Sequence, residues 1–137
     1  MKKILSCLFL ILPFVGMSQK YAFQSYSTEE GLPQTQVTAF CEDDDGYLWV
    51  GTLGGLAKFN GREFATFSPK DGLLNNRIQT LFWGSGRLWI GHDGGISYLE
   101  KDKFKSFEIE SDKSREVTKI VRFSGEIIAC TERGGGL

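Results

Sequence analysis

Residues 45–64 read DGYLWVGTLGGLAKFNGREF, and residues 85–104 read SGRLWIGHDGGISYLEKDKF. At an offset of 40 the two share Gly46/Gly86, Leu48/Leu88, Trp49/Trp89, Gly51/Gly91, Gly54/Gly94, Gly55/Gly95 and Phe64/Phe104. Mismatches such as Val50/Ile90 and Leu56/Ile96 keep the side-chain size. Internal repetition of this period decides the architecture, because each copy must build the same small unit and bury its apolar face on a neighbour.

Each copy holds four short stretches separated by turn residues. In the first they are Val37–Glu42, Tyr47–Thr52, Gly55–Phe59 and Arg62–Phe67. Asp44-Asp45-Gly46, Leu53-Gly54 and Asn60-Gly61 stand between them, and Asn-Gly between apolar stretches is a strong hairpin signal. Tyr47-Leu48-Trp49-Val50 does not alternate apolar with polar, so this strand is expected to be covered on both faces. Four antiparallel strands per 40-residue copy, stacked face to face, define an all-β fold of β-propeller blades. Gly51 and Gly91 end a strand, Gly54-Gly55 and Gly94-Gly95 turn the chain, and Trp49 and Trp89 are expected to fill the space between blades. Each indole then needs a hydrogen-bond partner.

A third copy begins with Val117–Phe123 and Glu126–Cys130 and stops at Gly134-Gly135-Gly136-Leu137. At the other end, Phe23-Gln24-Ser25-Tyr26 matches Phe64-Ala65-Thr66-Phe67 and Phe104-Lys105-Ser106-Phe107, each being the fourth strand of a blade. The expected organisation is an orphan outer strand at 19–29, blade 1 at 30–71, blade 2 at 72–112 and an incomplete blade 3 at 113–137. That makes about two and a half blades plus an N-terminal outer strand, an incomplete ring against the roughly four blades needed for closure. The front end of a longer polypeptide is the expectation. A self-sufficient small protein would expose a blade edge and an apolar face, and a ring of several short copies fits poorly with an end in mid-blade.

Lys2 and Lys3, the apolar run Ile4–Val15 and the small residues Gly16-Met17-Ser18 have the three-part grammar of a secretory signal peptide, residues 1–18. The run is short of the roughly 20 residues that span a bilayer. The formal net charge is -1, and -3 once the two lysines of 1–18 are removed. No basic stripe points to nucleic acid. Cys41 and Cys130, a whole blade apart, are expected to be free thiols, beyond the roughly 7 Å reach of a disulfide.

The stretch STEEGLPQTQVTAFCEDDDGYLWVGTLGGLAKFNGREF resembles the two-component regulator propeller repeats of bacterial sensor proteins. Gly31-Leu32-Pro33, Asp43–Gly46, Leu48-Trp49-Val50-Gly51-Thr52 and Gly55-Leu56 carry the likeness; the second copy departs at Leu74, Gly84 and His92. The resemblance implies a periplasmic sensing region followed elsewhere by a β-sandwich, a membrane helix and a cytoplasmic output, most often a histidine kinase. It implies a periplasmic ligand, a glycan among the candidates, and the remaining blades as partners. An inner membrane would be met only through downstream regions. No catalytic residue, metal or cofactor is assigned, and this chain is not expected to be an enzyme.

The chemistry-bearing residues have modest expected roles. Glu42–Gly46 invites a calcium loop, and Asp44-x-Gly46-x-x-Trp49 is similar to the Asp-box turns of sialidase-type propellers. Thr52 stands where an EF-type loop needs its Glu, and the second copy has no carboxylate there, so a capped hairpin turn is expected instead. His92, the only histidine, lacks a nucleophile motif and reads as a polar loop residue near the ring's mouth. Gln34, Thr35 and Gln36, with Asn75, Asn76 and Arg77, lie in loops expected at one end of the ring, as solvated polarity before a polar ligand contact. Phe64/Phe67 and Phe104/Phe107 read as outer-strand packing. Two other functions remain open: an extracellular glycan-acting propeller, and a scaffold or secretion-associated propeller without signalling output.

Overall fold

The computed structural model describes residues 22–110 and 116–132. The leader expected at 1–18 lies outside them. Among these described residues, ten strands form three antiparallel sheets. Sheet 1 is β1 (Val37–Glu42), β2 (Leu48–Thr52), β3 (Gly55–Phe59) and β4 (Phe64–Phe67). Sheet 2 is β5 (Ile78–Gly84), β6 (Arg87–His92), β7 (Gly95–Glu100) and β8 (Lys103–Glu108), and sheet 3 is β9 (Val117–Phe123) with β10 (Glu126–Thr131). Strand order follows chain order, as tight turns impose on a meander. The only other regular element among the described residues is a 3-10 turn at Pro69–Asp71.

The sheets stack in sequence without closing on themselves, and apolar side chains from each facing pair interdigitate. Trp49 and Leu56 of sheet 1 pack with Leu73, Ile78, Leu81, Leu88 and Ile90 of the second unit. Val117, Ile120 and Ala129 of sheet 3 pack with Phe82, Trp89 and Ile96 of sheet 2. The pleat sends alternate residues to opposite faces, so every blade has a leading face toward its predecessor and a trailing face toward its successor. Thr38 ties the first junction, its hydroxyl 2.7 Å from the Ile78 carbonyl oxygen and 3.0 Å from that of Gly51.

Gly51 and Gly91 have a steric task. A Cβ at Gly51 would come within 2.5 Å of Ile78 Cγ2, and one at Gly91 within 2.8 Å of the Val117 carbonyl oxygen. The Trp-x-Gly spacing thus puts a large filler and a hole side by side on each trailing face.

Residues 22–27, the described beginning of the orphan outer strand expected at 19–29, join no ladder. An outer strand needs a third strand beside it, and the described residues offer none there. The segment nonetheless sits on sheet 1 as β4 sits on sheet 2. Tyr26 meets Phe64 edge-on at 5.6 Å, as Phe67 meets Phe104 at 5.3 Å. Glu30 accepts from Ser27 N–H at 2.6 Å, and Asp71 from Ser68 N–H at 2.8 Å. Gly31 and Gly72, at φ of +105° and +103°, turn the chain in both. Leu32 and Leu73 are then buried.

Candidate functional site

The β1–β2 and β3–β4 turns lie at one end of the blades, and the β2–β3 turns and inter-blade loops at the other. At the first end, Asp43 is buried and organises the turn. Its Oδ1 accepts the amides of Asp45 (3.1 Å) and Tyr47 (2.9 Å), and its Oδ2 accepts Trp49 Nε1 at 2.8 Å. Lys58 Nζ stands 3.7 Å from Oδ2 and 3.8 Å from the Tyr47 ring centroid. Burial pushes the carboxyl up, but the Trp49, Tyr47, Lys58 and Asp45 interactions outweigh it and hold it below the usual range. The capped turn is therefore present, with Asp43 rather than Asp44 as the cap. Its oxygens face amides, an indole and an ammonium, which is a turn's chemistry and not a calcium loop's.

Sheet 2 holds the same indole differently. Trp89 Nε1 donates to the Gly84 carbonyl oxygen at 3.2 Å, a backbone acceptor replacing the absent carboxylate. Between the two turns lies a cleft of about 180 Å³ lined by Asp43, Trp49, Lys58, Trp83, Lys101 and Asp102 among others. A second, more open cavity of about 370 Å³ is lined by Tyr47, Lys58, Asn60, Glu63, Phe64 and Ala65. Both combine aromatic faces with charges of each sign, a surface for a polar ligand with a flat apolar side. Sequence reading passed over Lys58, Trp83, Lys101 and Asp102; Trp83, standing where copy 1 has Glu42, was the visible signal.

At the opposite end, Asn75 spends its groups on its own loop. Its Oδ1 accepts the Arg77 amide at 3.0 Å, and its Nδ2 donates to the Asp93 carbonyl oxygen at 3.2 Å. Gln34 lies over Gly54, while Thr35, Gln36, Asn76 and Arg77 are exposed.

His92 corrects the sequence reading. It is no loop residue: it ends β6 with 0% of its surface exposed, and neither ring nitrogen has a hydrogen-bond partner. Alternation places it with Leu88 and Ile90 on the leading face, beneath the first junction. Burial pulls its pKa down to about 4, which the facing Asn75 carbonyl only partly offsets.

Phe107, on the outer strand β8, is largely exposed. It stacks on Tyr98 at 5.7 Å at the outer rim of sheet 2, beyond the reach of the two-stranded sheet 3. Cys41 and Cys130 are free thiols, as expected. Burial, then the Asp43 charge, push Cys41 up to about 11.

These stacked four-stranded sheets, with an indole and a glycine on each trailing face, are blades of a β-propeller. Three solved structures share the fold at 20–24% identity, covering 79–82% of this chain but only 16–17% of theirs. They are extracellular domains of BT3049 and BT4673 from B. thetaiotaomicron, with TM-scores of 0.67–0.69. Residues 31–54, in the first copy, match the family model described as two component regulator propeller. A curated relative, "Histidine kinase P4" of Formosa agariphila, is 35% identical over 65 residues. That stretch is 46% of this chain and 5% of the relative, so the chain spans a small part of the length of each protein it matches. Among the described residues, no helix is long and apolar enough to cross a membrane.

Proposed function

We propose that this chain is part of the periplasmic ligand-sensing propeller of a two-component signalling receptor, exported by residues 1–18. The kinase output lies elsewhere in the receptor, which is anchored in the inner membrane by segments outside these residues. The observation that carries this is the match of residues 31–54 to the regulator propeller repeat, on a chain whose blades stack in series. The names of the relatives support it: a histidine kinase, and extracellular domains of hybrid two component and one component systems. The blades contribute binding surface and no catalysis. The end bearing the Asp43 turn supports a polar ligand, a glycan included, because indole faces and both signs of charge meet in one cleft.

The test uses the full-length receptor in its own bacterium, with transcription of its target genes as readout. Lys58→Ala with Trp83→Ala lines the cleft with small side chains and is expected to abolish induction while the receptor still accumulates. Unchanged induction would remove ligand sensing from this region. Alkaline phosphatase fused after residue 132 tests export: activity dependent on residues 1–18 is expected, and activity without them rejects the leader.

A further inference from the structure

Leu74 stands where the first copy has Pro33. The bulges between Val37 and Ala39 and between Ile78 and Thr80 align the first strands of the two sheets, and counting back from them pairs Gly31 with Gly72 and Pro33 with Leu74. Both side chains lie on the same spot, the second glycine of a Gly-Gly turn. A Cβ at Gly55 would meet Pro33 Cβ at 3.4 Å, and one at Gly95 would meet Leu74 Cδ2 at 2.9 Å. The exchange thus keeps an apolar contact and adds one backbone N–H, which proline lacks.

That N–H is met by a second exchange. Register pairs Ala57 with Val50 and Thr66 in sheet 1, and Ser97 with Ile90 and Ser106 in sheet 2, so Ser97 occupies the place of Ala57. Both are wholly buried. The Leu74 amide donates to Ser97 Oγ at 3.1 Å, the Ser97 and Ser106 hydroxyls lie 2.8 Å apart, and Ser106 Oγ donates to the Gly72 carbonyl oxygen at 3.0 Å. Each hydroxyl has one proton to give. With that of Ser106 on Gly72, that of Ser97 goes to Ser106. The chain of bonds therefore runs in one sense, from the Leu74 amide back to the Gly72 carbonyl, and each bond polarises the next. Ala57 offers no such acceptor, and Pro33 asks for none.

We propose that Ser97 and Ser106 form a latch that stands in for the missing proline and fastens the segment 72–77 to β7 and β8. Before sheet 1 the pyrrolidine ring fixes φ at this point, and no bond has to be made or broken. Before sheet 2 the segment carrying Asn75, Asn76 and Arg77 is held by hydrogen bonds instead. It is therefore the connecting loop able to lift from its blade while the sheet beneath stays intact.

NMR-detected hydrogen exchange on the full chain tests this at the Arg77 amide, which donates to Asn75 Oδ1 and so reports whether the segment is closed. Ser97→Ala leaves the Leu74 amide without its acceptor and is expected to speed exchange at Arg77 about tenfold. Adding Leu74→Pro restores the pairing of the first copy and is expected to bring that rate back to within about twofold of native. Unchanged exchange at Arg77 in Ser97→Ala overturns the latch, as does a double variant that exchanges as fast as Ser97→Ala. If Ser97→Ala does not fold, the double variant decides. It is expected to fold and to keep Arg77 protected as in the native chain, and its failure to fold overturns the proposal.

Discussion

Sheets 1 and 2 share their ladder, their bulge and their close junction, and they differ where two polar residues were exchanged. Sheet 1 anchors its first turn with the Asp43 carboxylate and ends β2 with Thr52, whose hydroxyl donates to the Gly55 carbonyl at 2.9 Å and accepts the Gly54 amide at 3.1 Å. Sheet 2 anchors the same turn with a backbone carbonyl and ends β6 with an imidazole that bonds nothing. One framework thus tolerates a satisfied polar core in one copy and an unsatisfied one in the next. Blade geometry is carried by the glycine–aromatic pattern and strand order, whereas local stability is carried by residues free to vary.

The comparison breaks most sharply at Asp43. Replacing it with alanine strips an acceptor from the Trp49 indole and from two amides in a buried turn, at a cost of about 3 kcal/mol in urea unfolding. An unchanged midpoint would show that sheet 1, like sheet 2, needs no carboxylate. Because the folded carboxyl is held below its ordinary range, its contribution is present at neutral pH and lost as the pH falls below about 4. Asp43→Asn should lack that acid step.

His92 sets the opposite sign for sheet 2. Its folded pKa of about 4 lies below the ordinary 6.5, so the unfolded chain binds the proton first as the solution is acidified. Stability is then fully present above pH 6.5 and falls through the window down to pH 4, by something on the order of 3 kcal/mol. His92→Thr installs the residue that Thr52 and Thr131 place at this register and should flatten that window in thermal melts. An unchanged slope would mean that the imidazole is hydrated in solution. A smaller effect separates the two turns. Thr52→Val removes two hydrogen bonds without changing shape and should cost about 1 kcal/mol, with denaturant midpoint as the measure.

Much of this was legible beforehand, because repetition is a physical constraint and not only a pattern. The near-continuous apolar run at Leu48–Val50 asked for cover on two faces, which Trp49 and Val50 have and Leu48, 37% exposed, lacks, while the Asn60-Gly61 and Asp44–Gly46 turns fixed the meander. His92 was not legible. A lone histidine beside Asp93 and a Gly-Gly turn looks solvated, and only stacking shows that the strand end lies under the neighbouring sheet. Nor could spacing distinguish Asp43 from Asp44, since the choice depends on which carboxylate the turn carries inward toward Trp49. The cleft escaped because Lys58 and Trp83 meet only through the junction.

The smallest contrast lies between the formed junction and the one at residues 22–32. Ser68 and Ser27 hold equivalent turns: each hydroxyl donates to the carboxylate three residues on, at 3.0 and 2.8 Å, and the Leu73 and Leu32 amides close back on the serine carbonyls. What differs is the segment before each serine. Phe64–Phe67 is laddered to β3, whereas residues 22–26 pair with nothing. A turn tied to a laddered strand opens only with its sheet, while one tied to an unpaired segment can open alone. Ser68→Ala should therefore lower the global melting temperature by about 2 °C. Ser27→Ala should leave it almost unmoved and speed hydrogen exchange at Leu32 instead. Equal shifts in melting temperature would mean that Tyr26, through Phe59 and Phe64, binds the segment to sheet 1 as firmly as a ladder does.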